Sequence, residues 1–163
     1  MRRNSYKLLY LKDGTKLVTV FDIEGQTFVE ILAELLKSRY GEIVKPPTWA
    51  YFAKTAHFKN NPPSDTDWWY KRAASILRTL YIKGPIGVSR LRKKYGGRKD
   101  SPMRKAHFHR AAGNHIRKIL QQLERVELVT ASKKGRNLTP KGVSLLDSLA
   151  ASITKNQNVE VKS

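Results

Sequence analysis

Apolar side chains recur along this chain three and four positions apart, the spacing that places them on one face of a helix. Phe28, Leu32, Leu35 and Leu36 form the first stripe, with Glu30, Glu34 and Lys37 opposite and Gly41 as a stop. A helix over Thr27–Tyr40 is predicted, preceded by a short extended entry at Leu17–Phe21 and a turn-like Asp22-Ile23-Glu24-Gly25. Beyond the rigid Pro46-Pro47, Thr48 caps a short helix from Trp49 to about Ala56. Pro62 and Pro63 then forbid a helix through the following loop.

The next helix, Trp68 to about Tyr81, reads as central, with Asp65 or Asp67 as its cap. Trp69, Ala73, Ile76, Leu77 and Leu80 give it a wide apolar side. Lys71, Arg72, Ser75, Arg78 and Thr79 share the other arc, which has three cations and no carboxylate. Gly84-Pro85-Ile86-Gly87 breaks the helix sharply. A short second helix runs from Val88 to Tyr95, with Val88, Leu91 and Tyr95 inward and Arg90, Arg92, Lys93 and Lys94 outward. Residues 98–112 read as a basic loop holding Arg98, Lys99, Arg104, Lys105 and Arg110. A third helix starts near Asn114 and ends near Arg125. It points Ile116, Ile119, Leu120 and Leu123 inward and Arg117, Lys118, Gln121 and Arg125 outward.

Short apolar runs at 128–130 and 136–138 flank a turn containing Gly135, so a hairpin is predicted, with Lys133, Lys134 and Arg136 about its tip. Thr139 as cap and Pro140 at the first helical position open a last helix through Ile153. Helix, tight turn, short helix, loop, helix and basic wing is the order of a winged helix-turn-helix. The expected fold is mostly α: a winged-helix-like helical domain with a small basic β-hairpin. One domain over residues 18–153 is expected, with an N-terminal extension at 1–17 and a flexible tail at 154–163.

Charge decides what such a domain is for. Of 163 residues, 32 are Lys or Arg and 13 are Asp or Glu, a formal net charge of +19. Residues 82–136 hold 16 of the basic residues and three of the acidic ones, so the excess is local. A local excess of this size calls for a polyanion, and nucleic acid is the first candidate. The predicted surface comprises Lys71, Arg72 and Arg78 of the central helix, Arg90, Arg92, Lys93 and Lys94 of the second, the loop cations, Arg117 and Lys118 of the third, and Lys133, Lys134 and Arg136 of the wing. Lys and Arg dominate it, which favours recognition of backbone and shape over base reading. Only Asn114, Gln121 and Gln122 offer base-reading chemistry on the third helix.

The aromatic residues read as structure: Trp69 in the core, Trp49 and Trp68 pinning the short helix to the central one, and Tyr51, Phe52 and Phe58 as packing. The chain has no Cys, which excludes disulfides, Cys-based zinc sites and Cys nucleophiles. His57, His107, His109 and His115 lack the acidic partners a metal site needs, and no phosphate-cradling loop of the Walker type occurs. No enzyme activity, cofactor, metal or small-molecule substrate is expected. No apolar run approaches the ~18 residues of a membrane span, so no membrane partner is expected either. Two polyanion readings remain: a scaffold protein of structured RNA, or a winged-helix DNA-binding transcriptional regulator. The regulator would normally dimerise over two half-sites, and no dimer seam is visible.

Five segments then carry a resemblance: Lys45–Phe52 (KPPTWAYF), Asp67–Arg78 (DWWYKRAASILR), Gly84–Leu91 (GPIGVSRL), Tyr95–Arg98 (YGGR) and Leu138–Gly142 (LTPKG). In this order they resemble the small-subunit ribosomal protein S19 family of the eukaryotic and archaeal type, the archaeal branch most closely, over about residues 18–153. The resemblance implies a cytoplasmic, ribosome-bound protein of the small-subunit head. It also implies small-subunit ribosomal RNA and neighbouring small-subunit ribosomal proteins as partners, with a part in subunit maturation. Carried over by position, Arg72, Arg78 and the hairpin with Lys133 and Arg136 fall on the family's basic surface. The family pattern begins near Thr19, so nothing transfers to residues 1–17.

Overall fold

The computed structural model describes residues 18–160, so the expected extension at 1–17 lies outside the described residues. Among the described residues five helices are present: α1 (Gly25–Tyr40), α2 (Trp68–Lys83), α3 (Val88–Lys94), α4 (Gly113–Arg125) and α5 (Pro140–Glu160). They are joined by a 3₁₀ turn at Thr48–Tyr51 and by two antiparallel hairpins, β1 (Gly97–Ser101) with β2 (Arg104–His109), and β3 (Val129–Ser132) with β4 (Gly135–Leu138).

α2 is the hub, as its apolar stripe predicts. Trp69, Ala73, Ile76, Leu77 and Leu80 are buried, and they meet Phe28, Leu32 and Leu36 of α1, Ile119, Leu120 and Leu123 of α4, and Leu146 and Ala150 of α5 in one core. Tyr81 Oη donates to Asp147 Oδ1 at 2.7 Å, tying α2 to α5. Thr139 caps α5 as expected: its Oγ1 accepts from Gly142 N at 3.1 Å and donates to the Glu127 carbonyl at 2.7 Å. α5 continues past Ile153 to Glu160.

The winged-helix order is realised by a backbone pairing. Ile86, in the turn between α2 and α3, exchanges hydrogen bonds with Arg136 of β4 at 2.9 and 3.0 Å, so a single β-bridge joins the turn to the wing. Gly135 permits this approach. Its φ is +130°, and a Cβ there would come within 2.6 Å of the Ile86 carbonyl carbon.

Three expectations need correction. The stretch 98–112 is not a loop: β1 and β2 pair Gly97 with His109, Arg98 with Phe108 and Lys99 with His107. The short helix after Thr48 is a single 3₁₀ turn, because Ala56 bridges Ala111 and the Thr55 carbonyl accepts from Ala112 N at 2.9 Å, holding the chain extended. Tyr51 and Phe52 are not packing residues: past Trp49 and Ala50 the chain turns outward and leaves them 50% and 83% exposed. Trp68 is buried against Trp69 and His115, with ring centroids 5.2 and 5.5 Å apart. The pinning role expected of Trp49 holds: it meets Trp69 edge-on at 6.1 Å.

Candidate nucleic-acid interface

The acid-free arc of α2 forms one wall of a cleft of about 630 Å³, into which Lys71, Arg72, Ser75, Arg78 and Thr79 all face. The first turns of α1, the proline-containing loop after Thr55, and Lys94 and Tyr95 at the end of α3 close it. Five cations line this space: Lys59, Lys71, Arg72, Arg78 and Lys94. Against them the lining has, among the described residues, one carboxylate, Asp65, already bound to Lys71 Nζ at 2.6 Å. That hydrogen bond holds the Asp65 carboxyl below its usual range and raises the Lys71 ammonium.

The other cations are held by neutral groups. The Arg72 guanidinium lies 4.2 Å from the Tyr95 ring centroid, and burial lowers its pKa. Tyr95 Oη in turn shares a 2.9 Å hydrogen bond with Ser75 Oγ. Lys94 Nζ donates to Thr79 Oγ1, and its pKa is lowered by burial first and then by Lys83, Arg78 and Arg72. Arg78 rests against Gly25 in the first turn of α1, and its buried Nε has no partner. Repulsion among cations in a partly desolvated cleft is relieved when an anion enters.

The remaining predicted cations occupy three other places. Arg90 and Lys93 lie on the exposed side of α3. Arg98, Lys99, Arg104 and Lys105 stand on the β1–β2 hairpin, followed by Arg110, and every described residue of β2 except the half-buried His109 is exposed. Arg117 and Lys118 lie on the outer face of α4, with Lys133 and Lys134 exposed at the wing turn. Two of the seventeen predicted residues do structural work instead. Arg92 Nε donates to the Ala111 carbonyl at 2.9 Å and fixes the approach to α4. Arg136 is ion-paired with Glu124.

At the base of the hairpin the Phe58 ring lies over Gly97 and the His57 ring is tilted against His109, with centroids 4.7 Å apart. Of the base-reading candidates, Gln122 is committed at both ends: Nε2 donates to the Lys45 carbonyl at 2.6 Å and Oε1 accepts from Trp69 Nε1 at 2.9 Å. Asn114 and Gln121 remain exposed. Sequence reasoning missed Lys59, which sits in a loop with no periodicity to mark it. Among the described residues, no three His, Asp or Glu side chains cluster as a metal site would require.

The family model for ribosomal protein S19e matches residues 19–156, nearly the whole described chain. The chain belongs to this family. Small ribosomal subunit protein eS19 of Aeropyrum pernix is 47% identical over 139 residues, covering 84% of this chain and 90% of that protein. The proteins of the same name from Thermoplasma volcanium and Argopecten irradians are each 42% identical, covering 85% and 83% of this chain and 91% and 94% of their own lengths. The S19e family is structural and non-enzymatic. The resemblance drawn from the five segments is correct, including its eukaryotic and archaeal type.

Proposed function

We propose that this chain is a non-catalytic constituent of the small ribosomal subunit, working on cytoplasmic ribosomes, that binds ribosomal RNA and contributes to subunit assembly. The observation that carries the RNA reading is the α2 cleft, where, among the described residues, five cations face one another with a single, already paired carboxylate. Such a site is frustrated when empty and neutralised by phosphate. The β1–β2 hairpin, the outer face of α4 and Lys133 and Lys134 of the wing extend the contact to other phosphates. Small-subunit proteins beside the chain are its further partners. A winged-helix DNA regulator would read bases from α4, yet Gln122 is spent on Trp69 and Lys45.

Sedimentation of extract carrying tagged chain tests this reading. The wild type travels with small subunits. The Arg78→Glu chain is depleted from them while its thermal unfolding midpoint stays near that of the wild type. Lys133→Glu/Lys134→Glu, confined to an exposed turn, gives the same depletion without touching the core. Normal incorporation of both variants would overturn the proposal.

A further inference from the structure

Phosphate recognition along a helix of RNA needs cations on a surface; it does not need a hole. The α2 cleft is nonetheless a concavity of about 630 Å³, the size range of sites that enclose small organic ligands. A phosphate group fills a small part of that space. The walls are also of two kinds. Lys59, Arg78 and Lys94 supply charge, whereas Val29, Pro62, Pro63, Trp68 and Tyr95 supply apolar and aromatic surface. Between them lies the Arg72 guanidinium, stacked at 4.2 Å on Tyr95, a planar cation whose orientation is fixed before any ligand arrives. The exposed Asn61 adds an amide able to donate and accept at the rim.

Resting on the RNA-binding reading above, we propose that this cleft receives one unpaired nucleotide of the bound RNA, its base entering against the Arg72–Tyr95 stack and its phosphate meeting Arg78 and Lys94. Single unstacked bases are what proteins accept on aromatic rings and guanidinium planes when they read RNA. Extrusion costs least where the nucleotide is already unpaired, so the preferred target is a helix with a one-nucleotide bulge rather than a continuous duplex. Arg72 is here a positioning and stacking residue, and Arg78 and Lys94 are phosphate ligands.

Two RNA hairpins that differ only by a single bulged nucleotide test the proposal, titrated against the full chain by fluorescence anisotropy at fixed salt. The bulged RNA binds about tenfold more tightly. Arg72→Lys, which keeps the charge and loses the plane, brings the two affinities together while leaving the salt dependence in place. A second measurement needs no variant: uridine 5′-monophosphate moves the Tyr95 ring resonances in NMR spectra at concentrations where inorganic phosphate does not. Equal affinity for the two RNAs, an unchanged ratio in Arg72→Lys, or equal effects of the nucleotide and phosphate would each overturn the pocket while leaving RNA binding intact. Failure of both RNAs to bind would overturn the RNA-binding reading and the pocket together.

Discussion

The indole N–H of Trp69 donates to Gln122 Oε1 at 2.9 Å, and the same Gln122 amide reaches the Lys45 carbonyl at 2.6 Å. One side chain of α4 thus satisfies the fully buried Trp69 and ties down the Pro46-Pro47 segment. Gln122→Leu leaves a buried N–H without an acceptor, which costs about 1–3 kcal/mol. Urea unfolding will show the lowered midpoint, while RNA affinity per folded molecule stays at the wild-type level. A base-reading Gln122 would show the reverse pattern.

Gly135 carries the second prediction. Alanine at φ +130° is strained and drives its Cβ toward Ile86, at a cost of about 1–3 kcal/mol. The local consequence is specific: the Ile86 and Arg136 amides, which now bond each other's carbonyls, lose hydrogen-exchange protection before the amides of α2 do.

These residues also mark where sequence reading succeeds. The stripes of α2 and α4 are legible because a core-facing helix must repeat its apolar residues near 3.6, and the wing is legible because Gly135 marks a turn between Leu128–Thr130 and the short segment that ends at Leu138. The acid-free arc is legible for the same periodic reason, which groups Lys71, Arg72 and Arg78 from their spacing alone. The β1–β2 hairpin is not. Arg104–Phe108 of β2 are all exposed and show no burial alternation, and the base of the hairpin is braced by residues distant in sequence, Phe58 at Gly97 and His57 at His109. Lys59 enters the cleft through a non-periodic loop, and Phe52 points outward because a bridge between Ala56 and Ala111 ends the short helix early.

His115 carries a pH prediction. Its ring is buried among Trp49, Trp68 and Trp69 with both nitrogens unpartnered. Burial first and Arg72 second hold its pKa below the ordinary 6.5. Below that pH the unfolded chain takes up a proton that the folded chain resists, so the unfolded state binds more protons. Stability is therefore full above about pH 6.5 and is lost as pH falls, by at most about 1.4 kcal/mol per pH unit for one group. His57 is also lowered, chiefly by Lys99, but it is exposed and adds a smaller loss of the same sign. Urea midpoints at pH 7.5 and 5.5 will fall less for His115→Leu than for the wild type; equal falls would assign the dependence elsewhere.

The wing separates cations that are free from cations that are spent. Lys133 and Lys134 are exposed at the turn, with no carboxylate partner among the described residues, whereas Arg136, two residues on, is held by Glu124 and pairs its backbone with Ile86. Counter-ion release makes each phosphate contact contribute about 0.7–0.9 to the slope of log K against log salt. Lys133→Ala and Lys134→Ala each flatten that slope by about this amount, with unchanged unfolding midpoints. Arg136→Ala behaves differently: it strands Glu124 and lowers the midpoint, and the slope changes little. Glu124→Gln completes the set. It releases the Arg136 guanidinium toward solvent, so RNA binding strengthens and the slope steepens, an outcome that follows only if the wing meets phosphate.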